Sequence, residues 1–349
     1  MNYAQLFNTL HIIVITIPFL FMIDRIHDFQ LLSRCHGIVE EIRGAPRARI
    51  RFISRTREAA DKPPGKVGVF PSSFNPITTG HMAILQEAAE IKAFREILLI
   101  LDTQATDKEI FGATLVDRLM MLQVLFEAHP RFSLGASNRG LFLTKAEVLR
   151  EMYPKGTSIT FIVGYDTLAR VLDPKYYEDC LETALDRLFV SCSFMVANRG
   201  IYGREAIEHL MASGDNRRFK DKVHFLEIPN HLAQISSSRV RQRVVEGKPF
   251  ARLVPAPVRE FIEEVKLYMA DREVGPMGQR VNLYDLRTEV LCRLYALYPE
   301  GRIGIDIGEI VDKVVEGIRN GQGPESLLDT IPDRVATAEG RESGMLQKR

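Results

Sequence analysis

From Val67 to about Ile228 the chain alternates between two hydrophobic rhythms. Short apolar runs, rich in β-branched and aromatic residues, occur at Val67–Phe70, Glu96–Leu101, Phe132–Ala136, Ser158–Val163, Ser193–Ala197 and Val223–Ile228. Such runs read as buried strands. Between them apolar side chains recur every three or four positions, near 82–93, 115–128, 144–152, 176–188 and 203–213, and Leu115, Leu119, Leu122 and Phe126 show the spacing most plainly. That period predicts helices. Strand–helix units repeated at this length predict an α/β fold, a mainly parallel sheet with helices on both faces. Open sheets of this kind take ligands at the carboxyl ends of their strands.

The flanks have other rhythms. Residues 1–23 carry no Asp, Glu, Lys or Arg, and Leu6–Ile23 is a mostly apolar run interrupted by Asn8, Thr9, His11, Thr16 and Pro18. It is just long enough to span a bilayer as a helix. Residues 25–66 hold ten Lys/Arg against five Asp/Glu, an asymmetry that would keep the remainder in the cytoplasm if 6–23 contacts a membrane. No basic n-region precedes the run, which argues against a secretory signal. A helix buried against the protein, or translation from Met22, are the competing accounts. Phe29–Ile42 then reads as an amphipathic helix with Leu31, Leu32, Cys35, Ile38, Val39 and Ile42 on one face, ended by Gly44-Ala45-Pro46. Arg47, Arg49 and Arg51 alternate with Ala48, Ile50 and Phe52, as on an edge strand with a basic, solvated face. Asp61–Gly65 is a linker by composition. After Ala270, Leu283, Leu286, Val290, Leu294 and Leu297 mark one amphipathic helix, and Ile307, Ile310, Val311, Val314, Val315 and Ile318 a second. They form a small helical appendage in which no chemistry is evident. From about Asp333 the polar tail reads as disordered.

Composition narrows the classes. Lys plus Arg number 46 against 45 Asp plus Glu in 349 residues, which gives no general nucleic-acid footprint. The cysteines, Cys35, Cys180, Cys192 and Cys292, are scattered with no CxxC. They read as free thiols of a reducing compartment, with no metal site.

Chemistry concentrates in Val67–His81, VGVFPSSFNPITTGH. A strand with Gly68 inside it leads into Pro-, Ser-, Asn- and Thr-rich turn residues. A helix starts near Gly80. Strand, small-residue loop and helix N-terminus receive phosphate through free amides and the positive end of the helix dipole. The loop lacks the Gly-Lys-Ser/Thr of a P-loop and the Gly-x-Gly-x-x-Gly of dinucleotide folds. Thr78-Thr79-Gly80-His81 instead resembles the signature of the HxGH/TxGH nucleotidyltransferases. Ser73-Phe74-Asn75-Pro76 narrows the resemblance to the nicotinamide/nicotinate mononucleotide adenylyltransferases. A second element, Ile235-Ser236-Ser237-Ser238-Arg239-Val240-Arg241, follows the last strand and opens a helix. Read locally it is a capped helix with a solvated arginine. It also resembles the ISSTxxR element with which that family holds the triphosphate of ATP.

The resemblance implies a Rossmann-like catalytic domain over 66–270, preceded by the apolar segment 1–23 and the basic region 24–65, and followed by the appendage 271–332 and the tail 333–349. It covers about 67–270, strongly at the two phosphate motifs and weakly between them. Gly164-Tyr165-Asp166-Thr167 is similar to the family's GxDxL-type segment, which would set Asp166 on a ribose hydroxyl or the substrate nucleotide; an N-cap is the plainer account. Asp117-Arg118-Leu119 is similar to the family's helix after the second strand, but most of these residues read better as a packed amphipathic helix with a surface arginine. Lys108 is a candidate phosphate contact, and Asn198-Arg199-Gly200 is similar to the family's strand–Arg–Gly element. By resemblance His81, Thr78 and Arg241 carry catalysis, and Gly68, Phe70, Ser73, Phe74, Gly80, Gly164, Asp166, Ser236 and Ser237 bind nucleotide. The implied reaction transfers AMP from ATP to nicotinamide or nicotinate mononucleotide and releases pyrophosphate, with Mg²⁺ entering on the phosphates and no protein metal site. The chain lacks Trp, which several relatives stack on the pyridine ring, so a Phe or Tyr is the expected substitute, Phe142 being one candidate. Ser238 stands where Thr is usual. Another TxGH enzyme such as a phosphopantetheine adenylyltransferase, and a membrane-associated nucleotide-binding protein without turnover, stay open. So does a homo-oligomer.

Overall fold

The computed structural model describes residues 24–56, 65–103, 112–127, 129–177, 180–274, 280–301 and 304–331. The apolar run 6–23, most of the linker, Lys108 and the tail 333–349 lie outside the described residues.

In chain order the elements are α1 (Phe29–Arg43), β1 (Ile50–Ser54), β2 (Lys66–Ser72), α2 (Thr79–Ile91), β3 (Glu96–Asp102), α3 (Leu115–Phe126), β4 (Phe132–Ser137), α4 (Phe142–Met152), β5 (Ser158–Gly164), α5 (Tyr165–Val171), α6 (Leu181–Ser191), β6 (Ser193–Ala197), α7 (Arg204–Ala212), β7 (Val223–Leu226), α8 (Asn230–Ala233), α9 (Ser237–Val245), α10 (Ala256–Glu264), a short ribbon of β8 (Arg272–Glu273) and β9 (Arg280–Val281), α11 (Leu283–Leu297), α12 (Ile307–Arg319) and α13 (Pro324–Asp329). The main sheet has seven strands in the order β1-β4-β3-β2-β5-β6-β7. Every pairing is parallel except β1 with β4. This is the expected mainly parallel α/β sheet, with the basic strand on its edge. Arg49 and Arg51 on that edge pair with Glu41 of α1.

Strand order reverses beside β2: β3 and β4 lie on one side of it, β5 to β7 on the other. The crevice at such a reversal is where open α/β sheets take ligands. Two apolar cores fill the two faces. One holds Val67, Val69, Leu98 and Ile100 beneath α4 to α7. The other holds Phe70, Leu99 and Leu101 with α2, α3, α9 and α10, and continues without a break into α1 and α11 to α13 through Leu32, Val290 and Ile318. Parity along each strand sorts the side chains between these cores.

Buried charges tie the C-terminal helices to α3. Asp117 accepts from Arg287 Nη1 at 2.8 Å and from the Tyr284 hydroxyl at 2.6 Å, and that hydroxyl accepts from the Thr114 amide at 2.8 Å. Arg118 is no surface residue. The residue is 1% exposed, and burial lowers its pKa to about 10. It lies under the face of α3 that α10 and α11 cover, contacts between elements remote in sequence. Among the described residues no helix is long and apolar enough to cross a membrane.

Candidate active site

The loop after β2 is set by its own packing. Phe74 holds a φ of 42°, in the left-handed region that bulky residues avoid. Its buried ring meets Phe70 edge-on at 5.8 Å and lies 5.9 Å from the His81 ring. Tyr268 donates its hydroxyl to Asn75 Oδ1 at 2.6 Å. Thr78, fully buried, is the N-cap of α2. Gly80 is required there, because a Cβ would come 2.8 Å from the Leu232 carbonyl oxygen of α8. Gly68 lies mid-strand, where a Cβ would meet Ile162 at 3.0 Å and Phe94 at 3.3 Å. Ser73 is exposed.

His81 and Thr78 close a reciprocal cap. The Thr78 amide donates to His81 Nδ1 at 3.0 Å, and the His81 amide donates to Thr78 Oγ1 at 3.3 Å. Nδ1 accepts, so the neutral ring carries its proton on Nε2. Burial, helped by the charge of Arg199, lowers the ring's pKa to about 4. Near neutral pH His81 is therefore an uncharged donor whose proton sits on Nε2.

Helix α9 faces the same loop. Ser236 caps it by accepting from the Arg239 amide at 3.2 Å. Ser237 donates its hydroxyl to the Pro76 carbonyl at 2.8 Å, and Arg241 Nη1 donates to the Asn75 carbonyl at 2.7 Å. Arg241 Nη2 donates to Ser238 Oγ at 3.2 Å. The N-termini of α2 and α9 thus hold the 75–78 loop between them, and both bring backbone amides and cationic or donor side chains to it.

Across the crevice, Gly164 is the N-cap residue of α5, and Asp166 lies exposed in its first turn. Arg199 Nε is 3.9 Å from Asp166 Oδ2, and Arg199 Nη1 donates to the Ile235 carbonyl at 2.8 Å, so it links this rim to the start of α9. Tyr165 and Tyr202 stack there at 4.4 Å. Phe142 opens α4 with its ring edge-on to Phe161 at 5.0 Å, half-buried in the core. The structure therefore brings Thr78, His81, Gly80, Ser236, Ser237 and Arg241 together, with Phe70 and Phe74 behind His81. Gly164 and Asp166 stand on the opposite rim. Asn75, Tyr268 and Arg199 shape the loop. The Asn-Pro pair is a turn signal that points to Asn75, whereas nothing near Tyr268 in the sequence foretells its contact. Among the described residues no group of three or more His, Cys, Asp or Glu stands together as a metal site.

Known proteins resemble this chain over the same region. The family model for cytidylyltransferase-like proteins matches residues 69–243, half of the chain. A probable nicotinate-nucleotide adenylyltransferase of Corynebacterium kroppenstedtii is 28% identical over 216 residues, 60% of this chain and 94% of its own. One of the same description from Moorella thermoacetica is 28% identical over 216 residues, 59% of this chain and 92% of its own. A solved nicotinic acid mononucleotide adenylyltransferase of Plasmodium falciparum, complexed with NaAD, covers 58% of this chain and 97% of its own at 17% identity, with a TM-score of 0.46.

Proposed function

This chain belongs to the cytidylyltransferase-like family, and we propose that it transfers AMP from ATP to a pyridine mononucleotide, releasing pyrophosphate. The observation that carries this reading is the clasp of one loop by two helix N-termini. One bears a neutral histidine donor, the other a capped serine pair and an arginine. Curated relatives named for the same reaction support it.

The acceptor's 5′-phosphate oxygen attacks the α-phosphorus of ATP in line, the bond to the β-phosphate bridging oxygen breaks, and pyrophosphate leaves. No covalent enzyme intermediate is needed, so catalysis is positioning and charge stabilisation. His81 Nε2–H donates to an α-phosphate oxygen, and Thr78 fixes the tautomer that allows it. Arg241 and the N-terminal amides of α9 hold the β- and γ-phosphates. The hydroxyl proton of Ser237 is already given to Pro76, so Ser236 and Ser237 act through main-chain N–H groups as much as through hydroxyls. Gly80 admits the phosphates close to the α2 amides, and Phe70, Phe74 and Ser73 shape the loop. Gly68 keeps β2 close under it. Gly164 and Asp166 take a ribose hydroxyl on the far rim. Mg²⁺ would enter with ATP and supply neutralisation of phosphate charge, and no side chain of this chain is assigned to hold it. The reading places the reaction in the cytoplasm.

The test is purified protein incubated with ATP, Mg²⁺ and a panel of acceptors, with pyrophosphate followed. Release that depends on a pyridine mononucleotide, with the dinucleotide formed, supports the assignment. Release with phosphopantetheine alone, or with no acceptor, overturns it.

A further inference from the structure

The loop between β2 and α2 is gripped at one buried residue, Asn75, from two remote parts of the chain. Arg241 Nη1 of α9 donates to the Asn75 carbonyl at 2.7 Å, and the Tyr268 hydroxyl donates to Asn75 Oδ1 at 2.6 Å. Tyr268 lies just beyond the end of α10, so main chain and side chain of Asn75 are fixed by different elements. The residue before it, Phe74, holds a φ of 42°. A bulky residue keeps such a conformation only where its surroundings over-determine it.

The segment that carries Tyr268 is shaped to bring the hydroxyl there. Lys266 and Tyr268 hold φ values of 58° and 61°, both left-handed. Between them Leu267 is wholly buried, and its amide donates to the Ile262 carbonyl at 3.0 Å. The Tyr268 ring lies against the main chain of Gly112, where a Cβ would come 2.6 Å from Cε1. The same Cβ would come 3.4 Å from Arg241 Cδ, so Gly112 flanks both side chains that hold Asn75. Burial pushes the Tyr268 hydroxyl above its ordinary range, against the pull of Arg118 and Arg241. It therefore stays protonated and remains a donor.

We propose that Tyr268 is a positioning residue for adenylyl transfer; this rests on the adenylyl-transfer reading. Only 9% exposed, it acts through Asn75 and not by contact with substrate. By fixing the Asn75 side chain it sets the turn of the 75–78 loop. That turn places the carbonyl on which Arg241 rests and leads into the Thr78–His81 cap. Without the hydroxyl the peptide at Asn75 can rotate, and Arg241 loses the fixed acceptor that aims its remaining donors. A displacement of about 1 Å in such a site costs on the order of 10² in rate.

The experiment is steady-state kinetics of pyrophosphate release by the full chain, with ATP and a pyridine mononucleotide each titrated. Wild type, Tyr268→Phe, Asn75→Ala and the double variant are compared, with a thermal melt of each. Tyr268→Phe keeps the ring on Gly112 and removes only the hydroxyl. It should lower kcat/KM for ATP by roughly tenfold or more, with KM for the acceptor nearly unchanged. In the Asn75→Ala background the same substitution should change kcat/KM by less than about twofold, because residues acting through one contact are not additive. A folded Tyr268→Phe within about twofold of wild type (the margin of additivity) overturns the proposal. So does an equal rise in KM for both substrates, which would mean general loosening of the site. So does a full effect in the Asn75→Ala background, which would place the hydroxyl's action elsewhere. If Asn75→Ala does not fold, the Tyr268→Phe arm decides alone. In each of these cases adenylyl transfer itself stands, whereas a wild type that turns over no pyridine mononucleotide removes that reading and the role of Tyr268 with it.

Discussion

Thr78 and His81 hold each other in place: the Thr78 amide donates to His81 Nδ1 at 3.0 Å while Thr78 Oγ1 accepts from the His81 amide at 3.3 Å. One reciprocal cap therefore does two jobs. It satisfies two of the orphan amides at the start of α2, and it keeps the imidazole neutral with its proton on Nε2.

His81→Ala should accordingly lower turnover by at least ~10², the scale for removing a preorganised donor to developing charge. ATP affinity should change much less, since the α2 and α9 amides remain. Steady-state kinetics of pyrophosphate release, with ATP titrated, separate the two effects. Turnover within a few-fold of wild type would remove His81 from the mechanism.

Arg241 already spends two donors on Asn75 and Ser238, and a guanidinium has five. The remainder can fork onto phosphate oxygens without releasing the loop. Arg241→Ala should weaken ATP binding roughly ten- to hundredfold and AMP binding far less, because AMP lacks the β- and γ-phosphates. Calorimetric titration with both nucleotides checks this, and equal losses would place Arg241 elsewhere.

Local pattern foretold most of the sheet, because a strand buried on both faces has little choice of composition. Ser193–Ala197 is a strand as read. Val223–Ile228 ends early, at Leu226, because the Asn198 side chain takes both the amide and the carbonyl of Ile228. The 176–188 helix starts late, at Leu181, since Asp173 and Pro174 build a separate turn first. Both phosphate motifs were legible because each is contiguous at a strand-to-helix junction. Contacts between distant segments were not. Nothing in periodicity says that Tyr268 reaches Asn75, that Lys145 turns to Asp102, or that an apparent surface arginine, Arg118, is sealed under α10 and α11. Spacing in α11 and α12 shows which side chains face a core, but not that the core is the one behind the candidate site.

Asp117 and Arg287 are both nearly inaccessible, at 1% and 3% side-chain exposure. Removing one partner strands a buried charge. Arg287→Met should cost about 3–5 kcal/mol, read as a lower urea midpoint. Asp117→Asn with Arg287→Met together should recover much of the loss, because no unpaired charge remains. A single substitution that costs less than about 1 kcal/mol would mean the pair is solvated. Thr114, bonded to Tyr284, begins α3 at the edge of the site, so ATP affinity should fall along with stability.

The depressed pKa of His81 makes a prediction with a definite sign. In the unfolded chain the ring titrates near 6.5, whereas in the folded chain burial and Arg199 hold it neutral down to about 4. Between those values the unfolded chain binds a proton that the folded chain refuses, so acidification favours unfolding. The contribution is fully present above pH 6.5 and is lost as pH falls towards 4. Asp102 runs the other way: its folded pKa of about 6 exceeds its ordinary 3.8, so it favours the folded chain as pH falls from 6 to 3.8. In wild type the two largely offset between pH 6 and 4, and a single pH curve would hide both. Variants separate them. Gln at position 81 can still close the cap but cannot titrate. Relative to His81→Gln, wild type should therefore lose about 2 kcal/mol between pH 7 and pH 4.5, from a shift of this size. Relative to Asp102→Asn, it should instead gain over the same interval. Urea unfolding of the three proteins at a series of pH values is the measurement. A wild-type curve that stays parallel to that of His81→Gln would mean that His81 takes up its proton in the folded chain, and its assignment as a neutral donor would fall.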